Sequence, residues 1–137
     1  MNYANSIMAA LENYIMGMSL DIDVVYPNDK REPRDSAEYL QVFHLFGPTS
    51  QACLGDDGKD MTDGVFQVNI VTPQGTGRSA YIDSVLNRFS RGTVIEQESV
   101  SLRITTNGLG VPYLDRNNYI QPLDIQWQVF TPSRLRK

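Results

Sequence analysis

Apolar residues recur at helical spacing near the start of the chain and alternate with polar ones through much of the rest. Tyr3, Ile7, Leu11, Tyr14, Ile15 and Met18 form one stripe, with Asn5, Glu12 and Asn13 off it. That predicts an amphipathic helix ending near Gly17. Residues 21–26 are short and β-branched, a predicted strand, followed by the polar loop PNDKREPRDS with Pro27 and Pro33. Tyr39 to Phe46 (YLQVFHLF) is apolar on both faces, which predicts a strand that is central or lies at an interface. Gly47 to Asp63 reads as a long connection, of a length that often carries function.

From Gly64 to Val71 the alternation is clean: Phe66, Val68 and Ile70 point one way, Gln67 and Asn69 the other. A second helix carries Tyr81, Ile82, Val85, Leu86 and Phe89 inward and Arg78, Asp83, Asn87 and Arg88 outward, with Gly92 as its C-cap. Val94 and Ile95 suggest a short strand. Val100, Leu102 and Ile104 then alternate with Ser101, Arg103 and Thr105, and NGLG at 107–110 reads as a turn. Leu123, Ile125, Trp127 and Val129 alternate with Asp124, Gln126 and Gln128 in the last long strand.

The predicted order is α-β-β-β-α-β-β-β. Two one-sided helices and one-sided strands predict an α+β fold, a two-layer sandwich with a mostly antiparallel sheet and both helices on one face. The other face then holds Gln67, Asn69, Arg103, Thr105, Asp124, Gln126 and Gln128. Amides and hydroxyls dominate it, so it can meet water, a channel or another copy without the desolvation cost of charges.

A chain of 137 residues predicts one domain, 1–137. No apolar run approaches the roughly 20 residues of a membrane span, and the N-terminus lacks a signal-peptide pattern, so neither membrane insertion nor export is expected. Cys53 is the single cysteine, which excludes an internal disulfide and multi-cysteine metal sites. The net charge of −4 argues against a nucleic-acid binder, although Arg134, Arg136 and Lys137 give the segment 131–137 a basic end.

Three stretches are candidates for chemistry. Gly75-Thr76-Gly77-Arg78-Ser79-Ala80 fits the G-x-G-x-x-G/A turn that cradles a dinucleotide pyrophosphate, and Glu96 and Glu98 fall about 20 residues on, where a ribose-binding carboxylate belongs. The strand before it alternates, however, and hairpin-like strands follow. Gly75 and Gly77 are therefore read as structural, allowing unusual backbone angles, with Thr76 as a helix cap. Asp56, Asp57, Asp60 and Asp63 form an acidic loop, but counting from Asp56 puts Gly58, Met61 and Gln67 at positions 3, 6 and 12 of a calcium loop, which breaks that pattern. His44 is the single histidine, and no G-x-S-x-G nucleophile motif accompanies it. No catalytic residue, metal or cofactor is assigned.

IMAALENYI in the first helix, YLQVFHLF followed by LGDDG, GVFQVNIVTPQGTGRSAYIDSVLNRF, RGTVI and IQPLDIQWQVF occur in that order. Together they resemble the tail terminator-like proteins of long-tailed bacteriophages, the tail completion proteins related in architecture to the minor tail protein U group. The likeness spans nearly the whole chain except 21–37. It implies a non-enzymatic virion protein, assembled in the host cytoplasm, whose copies form a homohexameric ring at the head-proximal end of the tail. Such a ring stops tail tube polymerisation and presents a surface to the head–neck connector or stopper protein.

On that reading the partners are other copies of the chain, the tail tube protein and the connector, with DNA passing through the lumen without specific binding. The loop 47–63 becomes a docking loop through Asp56, Asp57, Asp60 and Asp63. Gln67, Asn69, Gln126 and Gln128 become candidates for the lumen or subunit interface. Another neck or head–tail joining role, or a nucleotide- or phosphate-binding module on Gly75–Ala80, are the alternatives.

Overall fold

The computed structural model of the protein describes residues 3–27, 38–51, 59–97 and 100–132. Helix α1 (Ala4–Met16) is followed by β1 (Asp23–Val25), β2 (Tyr39–Gln51) and β3 (Lys59–Pro73). Helix α2 (Tyr81–Arg88) leads into β4 (Val94–Gln97), β5 (Val100–Leu109), β6 (Tyr113–Asp115) and β7 (Asn118–Pro132). The fold is α+β. The strands form one sheet in the order β1-β2-β3-β7-β5-β4, with β6 also pairing with β7. Among the described residues only β1 and β2 pair in parallel; the other pairs are antiparallel.

Both helices share a core with the sheet. Ile7, Leu11 and Ile15 of α1 and Val85 and Phe89 of α2 are buried in one cluster with Leu40, Val42, Phe66, Val68, Leu102, Leu123 and Ile125. These positions follow the two periodicities, i/i+4 on the helices and i/i+2 on the strands, that place side chains on one face. Aromatic rings knit the helices to the sheet: Phe89 meets Tyr14 edge-on at 5.2 Å and Phe66 at 5.6 Å.

The connection read at 47–63 is not a loop along its whole length. β2 runs on to Gln51 and β3 starts at Lys59, and β7 pairs with β3 out to Pro132, so the three strands extend together into a long arm. A register shift between Phe46 and Thr49 takes up the Gly47-Pro48 pair, after which pairing resumes as Thr49 with Thr62 and Gln51 with Asp60. Beyond Gln41, β2 has no described strand on its other side, so Pro48 costs no ladder bond. A Cβ at Gly47 would press on the Asp63 carboxylate, an exposed side-chain tip that would have to swing aside.

The 107–110 turn also lies mostly within a strand. β5 continues to Leu109 through a second register shift, between Ile104 and Thr106. The shift reverses the face parity, and Asn107 consequently turns toward α2. Its Nδ2 donates to the carbonyls of Leu86 (3.1 Å) and Phe89 (2.9 Å), satisfying groups that the helix end leaves open.

The ends of α2 differ from expectation. The helix begins at Tyr81, whose N–H donates to Ser79 Oγ (3.0 Å), while the Thr76 hydroxyl donates to the Pro73 carbonyl (2.8 Å) and belongs to the turn. Phe89 is the C-cap, and Gly92 (φ 89°) lies beyond it, donating its N–H to Ile104 O at 2.8 Å. Arg88, expected to point outward, lies 3.7 Å from the Tyr14 ring centroid and donates from Nε to the Tyr14 carbonyl. Glu12 likewise turns inward, with its Oε2 2.7 Å from His44 Nε2.

Candidate assembly surfaces

The sheet face turned away from the core carries the predicted amides in register. Asp63 pairs with Gln128, Val65 with Gln126, Gln67 with Asp124 and Asn69 with Pro122. They are not equally available. Gln126 is exposed, Gln67 and Gln128 are half-buried, and Asn69 is buried at 5% exposure, where its Oδ1 accepts from Gln67 Nε2 at 3.2 Å. Of the acidic candidates, Asp60 is buried in β3 and Asp63 is exposed. Asp56, Asp57, Cys53, Glu98 and the basic residues 134–137 lie outside the described residues.

The large exposed apolar side chains concentrate in two places. Phe43 and Leu45 project from the open stretch of β2, beside Phe46, and Phe130 is exposed on β7. Leu109, Val111, Tyr113 and Leu114 are exposed along the β5–β6 connection, Val111 at 84%. Exposed apolar side chains grouped along one element are candidates for contact surfaces.

The first place borders a groove of about 430 Å³ whose lining includes Leu45, Phe46, Gly64, Val65, Trp127 and Gln128. Gly64 faces Trp127 in register, and the indole covers the site a side chain would take: an added Cβ would lie 2.6 Å from Trp127 Cζ2 and against the Leu45 carbonyl. Phe46 packs edge-on against the same indole at 5.2 Å. Trp127 is buried, and its Nε1 has no hydrogen-bond partner among the described residues.

The glycine turn lacks the frame that dinucleotide binding needs. β3, which enters it, is antiparallel to both neighbours, β2 and β7, and α2 leaves into the antiparallel pair β4–β5. A pyrophosphate turn of the Rossmann type sits between parallel strands joined by a helix. Gly75 (φ 90°) and Gly77 (φ 87°) occupy the left-handed region, with open space where a Cβ would go. The turn borders a cleft of about 310 Å³ with Arg78 and Tyr119.

His44 stacks on Phe66 at 5.1 Å and is held by Glu12, with no group of three or more metal-ligating side chains among the described residues. No described helix is long and apolar enough to cross a membrane.

Burial pushes the Tyr39 hydroxyl above its ordinary pKa of 10.0, and the Asp115 carboxylate raises it further. The neutral phenol is thus favoured in the folded state. Its contribution to stability is complete below the unfolded pKa, near 10.0, and is lost as pH rises through the higher folded value. Melting temperature followed from about pH 9 to 11 should fall more steeply for the native chain than for Tyr39→Phe. Equal slopes would show that Tyr39 is not the source.

The strand β6, the two register shifts and the Asn107 cap have little sequence signal. Asp115-Arg116-Asn117-Asn118 closes the β6–β7 hairpin with Arg116 at φ 59°, yet has no glycine to announce a two-residue turn.

The sequence profile of a family described as phage tail terminator protein matches residues 6–127. Chains of solved structures match as well; one superposes with a TM-score of 0.69 at 26% identity, over 95% of this chain and 98% of the other. No curated protein matches in sequence.

Proposed function

The chain belongs to the phage tail terminator family, and from that membership we propose that it is a single-domain ring subunit capping the head-proximal end of a tail tube. Membership makes it a structural phage tail protein and a virion component. The family match over 6–127 carries the reading.

The surfaces support it. A closed ring of identical subunits needs two different patches per copy, and the exposed apolar residues of β2 and of the β5–β6 connection supply two. With the helices as one layer against the sheet, the outer face, with Gln67, Gln126 and Gln128, is a lumen or subunit surface. Amides in a lumen neutralise no phosphates, so they create none of the counterion-release affinity of basic residues, and DNA passes without being held. Asn69, being buried, acts there by fixing Gln67.

The β2–β3 arm takes the docking role expected of the 47–63 loop. Asp63 is exposed on it, and Asp56 and Asp57 belong to its tip by sequence. Asp60 is a strand residue of the arm. The ring terminates polymerisation by covering the last tube layer and offers its other side to the connector.

Purified tube protein should stop elongating when the chain is added, with electron microscopy showing one cap per tube. A variant whose residues 52–58 are replaced by a Gly/Ser linker should fold and fail to cap. Unrestrained elongation with the native chain would refute termination, and normal capping by the variant would refute docking through the arm.

A further inference from the structure

We infer that Asn107–Gly108 is a site of spontaneous deamidation that the folded chain holds closed, and that a modified chain cannot rebuild the end of α2. It is the one Asn-Gly pair in the sequence. The modification needs no enzyme, only water, and it does not depend on assembly.

The chemistry requires two groups to meet. The Gly108 backbone nitrogen attacks Asn107 Cγ. An N–C bond forms, the Cγ–Nδ2 bond breaks, and the Gly108 amide proton leaves with Nδ2 as ammonia. Water then opens the cyclic imide at one of its two carbonyls, giving aspartate or isoaspartate. Glycine favours the first step, because its backbone turns freely and no Cβ hinders the attack. The fold itself does not demand glycine here. A Cβ at 108 would meet no atom within 4 Å, and Gly108 is not among the positive-φ glycines. A reactive pair thus stands where alanine would fit.

The fold keeps the two groups apart. Asn107 pairs with Ile125 and Gly108 with Asp124 in the β5–β7 ladder, so the backbone between them is extended and held. Ring closure needs Cγ to swing toward the Gly108 nitrogen about bonds that this pairing fixes. Nδ2 is also tethered by its hydrogen bonds to the carbonyls of Leu86 and Phe89. Those two bonds are what the modification destroys. An aspartate carboxylate accepts and cannot donate, so it would face two carbonyl oxygens with no proton between them. It would also set a negative charge at the negative end of the α2 dipole. Isoaspartate adds a methylene to the main chain, which puts β5 beyond it out of step with β7. A copy that opens and reacts therefore does not return to the closed state.

Mass spectrometry of the peptide containing Asn107 follows the amide-to-acid change during incubation at physiological temperature in mildly alkaline buffer. The native chain should react at least about tenfold more slowly than the same chain in denaturing urea, because only the opened strand reacts. Gly108→Ala should melt no lower than the native chain and should resist modification in urea. Asn107→Asp, which carries the product carboxylate from the start, should melt roughly 5–10 °C lower. If that variant does not fold, chain aged in urea and then refolded gives the reading instead. Its modified fraction should stay out of the native gel-filtration peak, while Gly108→Ala aged alongside should return to it. Equal rates in buffer and urea would overturn the shielding. Rapid modification of Gly108→Ala in urea would overturn the assignment to this pair. A native melt for Asn107→Asp, or modified chain in the native peak, would overturn the dependence of α2 on the amide.

Discussion

Gly64→Val is expected to lower the melting temperature of the chain sharply. Gly64 lies in β3 between β2 and β7, and a Cβ there would collide with the Leu45 carbonyl and lie 2.6 Å from Trp127 Cζ2. The carbonyl belongs to the neighbouring strand and cannot rotate away as a side-chain tip would. The indole is wedged against Phe46 and is buried. Overpacking a well-packed site typically costs about 1–3 kcal/mol, and a backbone clash puts this substitution at or beyond the upper end. Against a total stability of about 5–15 kcal/mol the loss is large. A melting temperature at least roughly 10 °C below that of the native chain is expected. Gly64→Ala should fall in the same direction by less. An unchanged melt for both would mean that the strands separate at no cost, and the packing described around Trp127 would be wrong.

Phe89→Ala should be the other severe substitution. The ring is fully buried at the end of α2, touching Tyr14 of α1 and Phe66 of β3. It is the point where both helices and the sheet meet, so its removal leaves a cavity that no single element can close. Truncating a buried phenylalanine costs about 3–5 kcal/mol. Denaturant unfolding should show the midpoint moved with little change in slope, since the surface exposed on unfolding is nearly the same. A loss below about 1 kcal/mol would show that the site collapses freely, contrary to a core shared by three elements.

Helical spacing placed Phe89 inward, as the structure has it, whereas nothing in the sequence marked Gly64 for its role. The stripe Ile7–Leu11–Ile15 and the alternations Phe66–Val68–Ile70 and Leu123–Ile125–Trp127 were legible because each element buries one face, and burial imposes its period. The register shifts were not legible, because a shift changes face parity without changing composition. Gly47-Pro48 reads as a loop unless one knows that the outer side of β2 is open there. Asn107 reads as a turn residue until the shift at Ile104/Thr106 aims its amide at α2.

Much of the candidate surface was similarly half visible. YLQVFHLF announces apolar residues on both faces, and Phe43 and Leu45 are indeed exposed. Val111, Tyr113 and Leu114 follow glycines and a proline, in a stretch whose alternation is too short to mark as strand or contact. The outer amides were placed on one face by period, but Asn69 is buried by packing across strands that no single-strand period reports. The pyrophosphate turn shows the converse case. Its residues fit the pattern, the alternation of the strand before it already argued against a parallel frame, and the antiparallel pairing of β3 bears that out.

The central claim is that copies of this chain close into a ring, and solution mass by light scattering across a range of concentrations tests it most directly. A discrete species, a fixed multiple of the 15.4 kDa chain near the sixfold ring that the resemblance implies, is the expected result. A monomer at every concentration, unchanged when tail tubes are added, would contradict it.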